Sequence, residues 1–216
     1  MTTRHEDEVP VGKPLRADAR RNRARLLEAA EAVFADQGPG ASTEEVARRA
    51  QVGIATVFRH FPTKEALLEA VLVQRLERLG AQGRRLAAEA APQDALFEFF
   101  DLVLDQSSAK NAYAAALADA GVDVRAATSE AGRSLREVLT ELLDAAQRSG
   151  AVRPDLQFPE LTALIVGTAT MLDHLDGRPE SARRARSVVR AGMQAGTGSG
   201  AAPACVPVSA PGSKTS

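Results

Sequence analysis

Hydrophobic residues recur along most of this chain three or four positions apart, with polar and charged residues between them. That spacing places the apolar side chains on one face of a helix. The chain is rich in Ala and Leu, and it lacks the alternation of β-branched and polar residues that is typical of half-buried strands. The pattern therefore predicts an all-α protein.

Two short helices joined by a tight turn are predicted over residues 42–61. Ser42 can cap the first helix with its hydroxyl, and Glu45, three residues later, would complete a capping box. Residues 51–53, which read Gln-Val-Gly, supply the turn, and we expect Val52 to pack between the two helices.

The second helix is predicted to start at Ile54 and to bury Val57 and Phe61, which are four residues apart. Its outward face then carries Ile54, Ala55, Thr56, Phe58, Arg59 and His60. The polar groups among these can donate hydrogen bonds to phosphate oxygens, and the small apolar groups can contact thymine methyls in a major groove. This layout predicts a helix-turn-helix motif, with a plain helical hairpin as the alternative.

Longer apolar stripes predict helices on both sides of this motif. A first helix is expected from Asp18 to Gln37, with Gly38 just after its end. Another is expected over residues 64–79, followed by a break from Gly80 to Pro92. Beyond the break, helices are predicted over residues 93–108, over a shorter segment ending at Gly121, and over 126–149, 160–175 and 179–195.

Composition narrows the class of protein. The 216 residues can form one or two domains, and the single Cys205 excludes a disulfide within the chain. The N-terminus has no apolar signal segment, and the longest nearly apolar run, residues 163–175, is too short to span a bilayer. We therefore expect a cytoplasmic protein with no membrane partner. Residues 1–17 are predicted to be a disordered arm and 197–216 a disordered tail.

Charge and candidate chemistry argue against an enzyme. The formal net charge of −1 is the sum of +2 over residues 1–64, −4 over residues 65–196 and +1 from Lys214. The three histidines, at 5, 60 and 174, are far apart, and with one cysteine they form no metal-ligand cluster. The sequence has no nucleophile elbow, phosphate loop or dinucleotide motif. We therefore predict no catalytic residues, no metal and no cofactor.

The order of these elements resembles the DNA-binding domain of the TetR family of transcriptional regulators over residues 19–79. The matching residues are Phe34, Gly38, Ser42, Thr43, Val46, Ala47, Val52, the run TVFRHF from Thr56 to Phe61, Lys64, Glu65, Leu67 and Leu68. Three residues depart from the family pattern: Gln51 replaces Gly, Gly53 replaces Ser, and Phe58 replaces Tyr. If position 51 needs a positive φ, Gln51 costs roughly 1 kcal/mol.

The resemblance implies a role for each matching residue. It implies that Thr43, Thr56, His60 and Lys64 bind phosphates, that Ile54 and Ala55 face base edges, that Arg59 reaches a phosphate or a guanine, and that Phe58 offers packing alone. It also implies a DNA-binding domain over residues 18–79 and an effector-binding and dimerisation domain over 80–196. The expected partners are a palindromic DNA operator, a second copy held through residues 160–175 and 179–195, and an unidentified small-molecule effector.

The residues of an effector pocket are harder to predict than its presence. Candidates are Phe97, Phe100, Tyr113, Leu139, Leu143, Met171 and His174, although apolar residues at helical spacing are more often core. The charge of −4 over residues 65–196 favours neutral or cationic effectors. We predict a regulator, by family habit a repressor. The alternatives are a helical ligand-binding protein or enzyme with a similar head, and a non-specific architectural DNA protein, which the near-neutral charge disfavours.

Overall fold

The computed structural model describes residues 12–175 and 177–196. Over these residues the chain forms nine α-helices and no strand, so the predicted all-α class is confirmed. The helices are α1 (Gly12–Gln37), α2 (Thr43–Arg49), α3 (Ile54–His60), α4 (Lys64–Glu89), α5 (Pro92–Asp119), α6 (Val124–Ala127), α7 (Ser129–Arg148), α8 (Phe158–His174) and α9 (Pro179–Met193). None of the helices in the described part is long and apolar enough to cross a membrane.

The first helix starts earlier than its sequence pattern indicates. We expected Asp18 to cap it, but α1 begins at Gly12, and Asp18 lies inside the helix, where its carboxylate pairs with Arg21. Pro14 falls in the first turn, where a missing N–H breaks no helical hydrogen bond. Residues 12–17 of the predicted arm are therefore helical, while residues 1–11 and the predicted tail lie outside the described residues.

The predicted break after residue 79 is wrong, because α4 continues to Glu89. Gly83 is not a helix end but a point of close packing. A Cβ atom added there would lie 2.5 Å from Val138 Cγ1 and 2.8 Å from Phe99 Cε2, so the missing side chain lets α4 approach α5 and α7. The helical hydrogen bonds and this packing outweigh the low helix propensity of Gly80 and Gly83.

The prediction also divided the next segment incorrectly. The two helices expected before Gly121 are the single helix α5, because the segment around Ser107 contains no Pro or Gly and buries Tyr113 and Leu117 on one face. The long helix expected from residue 126 is divided into α6, whose N-terminus Asp123 caps, and α7. The last two helices lie close to their predicted bounds.

The buried apolar side chains form two clusters that meet on α4 between Leu76 and Leu79. The first, which we term the head core, contains the apolar residues of α1 to α3, the first half of α4, and Tyr113, Leu117 and Ala131. The second, the body core, contains Leu79 and the apolar residues of α5, α7, α8 and α9. Since α4 contributes to both clusters, it connects the two halves of the molecule.

Candidate nucleic-acid interface

The start of α2 is fixed by one half of the predicted capping box. The Ser42 hydroxyl accepts a hydrogen bond from the Glu45 backbone N–H at 3.3 Å. The Glu45 carboxylate does not return this bond; it accepts from Arg48 Nε at 2.9 Å instead. The Arg48 guanidinium lowers the pKa of Glu45, although Arg48 is exposed and such a surface pair adds little stability.

The turn between α2 and α3 keeps the geometry that normally calls for glycine. Gln51 has a φ of 56° and is the one non-glycine residue with a positive φ among the described residues. The turn is therefore not remodelled around Gln51, and the backbone accepts the strain. Arg25 Nη2 donates a hydrogen bond to the Ala50 carbonyl at 3.1 Å, just before the strained residue. This contact between α1 and the turn was not predicted from the sequence.

Helix α3 divides its residues between the head core and solvent. Val57 is completely buried, and Phe61, which follows the helix, is 3% exposed, as the spacing predicted. Ala55, Phe58 and Arg59 are exposed, with Phe58 at 43%. Ile54, Thr56 and His60 were also predicted to face outward, but they are half-buried because they sit at the edges of the buried stripe.

The two remaining predicted DNA contacts begin the neighbouring helices. Thr43 is the first residue of α2 and is only 8% exposed. Lys64 is the first residue of α4, and its Nζ donates a hydrogen bond to the Gly40 carbonyl at 2.7 Å. Six of the eight predicted contact residues are therefore brought together on α3, and the other two lie on the helices at its sides.

The cations of this region differ in how far they are neutralised. Arg48 and Arg49 pair with Glu45 and Asp36, and the Arg23 guanidinium lies over the Phe61 ring, 4.9 Å from its centroid. Arg59 is exposed and pairs with no carboxylate of the described residues. It is therefore the one cation of α3 with a permanent charge, free to meet a phosphate or a guanine.

A cavity of about 170 Å³ lies between α4, α5, α7 and α8. Of the seven side chains predicted to line a pocket, Leu139 alone borders it. Phe97, Phe100, Tyr113 and Leu143 are buried in the two cores, Met171 is half-buried, and His174 is exposed with Nδ1 2.8 Å from the Thr170 carbonyl oxygen. Most of the residues predicted to line a pocket therefore fill the core. The cavity is lined mainly by other residues of α4, α5, α7 and α8.

Two family models match most of the described chain. Residues 26–71 match bacterial regulatory proteins of the tetR family, and residues 91–195 match the C-terminal domain of SbtR-like transcriptional regulators. The first match covers the second half of α1, all of α2 and α3, and the start of α4, and the second covers α5 to α9.

Solved structures of TetR regulators are also similar to this chain. A TetR transcription regulatory protein from Mycobacterium vanbaalenii is 40% identical, with a TM-score of 0.69 over 84% of this chain and 99% of that one. The TetR transcriptional regulator SCO0520 from Streptomyces coelicolor is 31% identical, with a TM-score of 0.66 over 80% and 98%.

Two relatives known from sequence match more locally or more distantly. The HTH-type transcriptional repressor Rv3405c of Mycobacterium tuberculosis is 40% identical over 79 residues, which are 36% of this chain and 40% of the relative. The similarity to that repressor thus spans less than half of its length. The HTH-type transcriptional regulator UidR of Escherichia coli is 23% identical over 70% of this chain and 80% of its own.

Proposed function

Because the chain belongs to the TetR family of DNA-binding transcriptional regulators, we propose that it binds a palindromic operator as a homodimer and represses transcription until a small-molecule effector releases it. The observation that carries this proposal is α3, which seats Val57 in the head core and presents Ala55, Phe58 and an unpaired Arg59 to solvent. A recognition helix needs a buried side for orientation and a free side for the major groove.

We propose these DNA contacts residue by residue. Ala55 and Ile54, at the start of α3, meet base edges, while Thr56, His60, Thr43 and Lys64 meet phosphates. Arg59 reaches a phosphate or a guanine, and Phe58 packs against the DNA backbone without donating a hydrogen bond. The contacts proposed for Ala55 and Arg59 have the most direct support, because both residues are exposed. Lys64 would have to give up its hydrogen bond to the Gly40 carbonyl in order to bind a phosphate.

The proposed dimer uses α8 and α9, and two exposed apolar residues support it. Val166 on α8 is 66% exposed and Val188 on α9 is 72% exposed. Gly167 beside Val166 has nothing within 4 Å of where its Cβ would be, so another helix can approach closely there. A second copy on this face would bury both valines and would place two recognition helices on a two-fold operator.

We propose that the chain is divided after residue 79 into two domains with different functions. Residues 18–79 bind DNA, and residues 80–196 bind the effector and the second copy. The meeting of the head core and the body core between Leu76 and Leu79 supports this boundary, although α4 crosses it without a break. We place the protein's action in the bacterial cytoplasm, where its operator lies.

Fluorescence anisotropy on DNA from upstream of this gene and its neighbours tests the proposed function. The comparison DNA is scrambled, and the salt concentration is about 150 mM. We expect a preference on the order of a thousandfold for one palindromic site. The double variant Thr56→Ala/His60→Ala should weaken binding to this site, because it removes two phosphate contacts, whereas Arg85→Ala, an exposed change far along α4, should leave binding unchanged. Equal binding to all DNA, or undiminished binding of the double variant to the preferred site, would contradict the proposal and favour a function in the body.

A further inference from the structure

The cavity between α4, α5, α7 and α8 has two chemically different ends. Most of its wall is aliphatic and is formed by Leu76, Leu79, Val103, Leu135, Leu139, Ile165 and Val166. Where α4 meets α5, the wall is instead formed by Arg75, Gln106 and Lys110. No Asp or Glu within the described residues lines the cavity. It is therefore an apolar chamber with a cationic end.

Lys110 is a half-buried cation without a counterion. Burial lowers the pKa of its ammonium group, and no charged neighbour among the described residues opposes that effect. A buried charge is ordinarily paired with an opposite charge, because removing it from water without compensation is costly. The Lys110 side chain therefore places an uncompensated positive charge at the edge of the apolar cavity.

Arg75 contributes a second excess of donors at the same end. Its Nη1 donates to Glu31 Oε1 at 2.9 Å, and Arg78 pairs with the same carboxylate, so two guanidiniums share one negative charge. Arg75 Nε is buried, with no hydrogen-bond partner among the described residues, and the Tyr113 hydroxyl, which is also buried, lies beside the Arg75 guanidinium. A buried donor usually has an acceptor, so an Arg75 Nε without one calls for a specific explanation.

We propose that this cavity binds an apolar molecule carrying one anionic group, with Lys110 and Arg75 holding the anion and the aliphatic wall holding the rest. The inference rests on the proposed effector-released regulator and names the chemical class of its effector. A volume of about 170 Å³ suits a small ligand, since an apolar cavity of roughly 150 Å³ holds benzene. An anionic ligand reverses the preference suggested by the net charge of residues 65–196, because the ligand meets the groups that line the cavity.

The same anion would compete with Glu31 for Arg75. Glu31 lies on α1 and Arg75 on α4, so their ion pair joins the first helix of the head core to the helix that borders the cavity. A ligand that draws Arg75 toward the cavity weakens this link, and it binds more tightly to the state in which the link is open. Such a difference in affinity between two states is what an effector needs to change DNA binding.

Calorimetric titration of the full-length chain with octanoate, octanol and octylamine tests the class of ligand, because the three probes share one apolar chain and differ in the head group. We expect octanoate to bind at least about tenfold more tightly than octanol, with octylamine weakest. Lys110→Gln should remove this preference, and Lys110→Met serves as a second uncharged variant. Arg85→Gln, which changes an exposed cation of α4 outside the cavity, should keep it.

Several outcomes would overturn the assignment: no binding of octanoate, equal binding of the three probes, a preference for octylamine, or an unchanged preference in both Lys110 variants. Competition has its own test, since Glu31→Gln should raise octanoate affinity about threefold or more and leave octanol unaffected. An unchanged or lowered octanoate affinity in that variant overturns the competition. These titrations contain no DNA, so their failure is distinct from a failure of operator binding in the anisotropy experiment.

Discussion

The head core surrounds Leu26, Val57 and Leu67 with side chains that leave these residues no exposed surface, whereas about 170 Å³ stays open between four helices where the head core ends and the body core begins. The first arrangement holds α3 in one orientation, because every buried residue of that short helix is fixed by its neighbours. The second retains space and a half-buried charge, neither of which stabilises the fold. This difference matches the two proposed functions, since DNA binding needs a rigid surface and effector binding needs space for a ligand.

The cationic side chains near α2 and α3 also differ from those at the cavity in whether they have partners. Around α2 and α3, Arg25, Arg48 and Arg49 meet a carbonyl or a carboxylate, so their charges support local structure. At the cavity, Lys110 has no such partner among the described residues, and Arg75 has donors to spare. A protein that is stable by a small margin keeps such groups at a cost, which is a common feature of functional sites.

The largest change in the free energy of unfolding is expected from a substitution at Gly83, where α4 contacts α5 and α7. Gly83→Val would place side-chain atoms where Val138 and Phe99 already lie, and we expect a loss of about 3 kcal/mol in the free energy of unfolding. Urea denaturation followed by circular dichroism measures it. The matched control is Gly132→Ala on α7, which has open space around it and should gain about 0.5 to 1 kcal/mol. A Gly83→Val protein as stable as the wild type would show that the body core yields easily.

Local chemistry explains why the head was predicted well from sequence. Ser42 caps α2, Gly38 takes a positive φ of 78° after α1, and Val57 and Phe61 are buried four residues apart. Each of these features depends on residues a few positions away, so a sequence pattern can reveal it. The Arg25 contact to Ala50 spans 25 residues and could not be predicted in that way.

Packing between distant segments explains why the body was predicted less well. Gly80 and Gly83 looked like helix breakers because their neighbours on α5 and α7 are not visible in the local sequence. The residues that line the cavity were missed for a related reason: a search for apolar residues finds the core. This space is instead marked by Lys110, which has no counterion among the described residues, and by Arg75, whose Nε has no acceptor there. Unpaired buried charge on a helix is a pattern that only the folded arrangement shows.

A smaller effect is expected from removing the half-buried charge of the body. Lys110→Met should raise the free energy of unfolding at neutral pH by about 1 kcal/mol, a figure that allows for the screening of a side chain only partly removed from water. Chemical denaturation at several pH values measures it. Arg85→Met, on the exposed face of α4, is the control and should give no gain.

The pH dependence of this gain follows from the direction of the pKa shift. Burial lowers the pKa of Lys110 below its ordinary value of 10.5, so between the two values the unfolded chain binds more protons than the folded one. Wild-type stability from this group therefore rises with pH through that window, and the advantage of Lys110→Met should shrink as the pH approaches 10.5. An advantage that is constant with pH would mean that the methionine gains by packing alone.

The smallest effect should come from the one strained residue of the head, Gln51. Gln51→Gly should stabilise the protein by roughly 0.5 kcal/mol, because glycine accepts a φ of 56° freely but loses more backbone entropy on folding. Gln51→Ala keeps the strain and should give no gain, so the difference between the two variants in denaturation midpoint isolates the backbone term. Equal midpoints would mean that the Gln51 side chain, and not its φ, sets the stability of the turn.

The same pair of variants shows how separately the two cores behave. Strain at Gln51 is confined to the link between α2 and α3, and Arg25 reaches the adjacent residue from α1, so relief there should change the stability of the head without altering octanoate affinity. A change in octanoate affinity would mean that the turn communicates with the cavity, and α4 offers the physical route. In that case the rigid head and the open body would be one cooperative unit, and the ion pair between Glu31 and Arg75 would be the first contact to test for carrying the coupling.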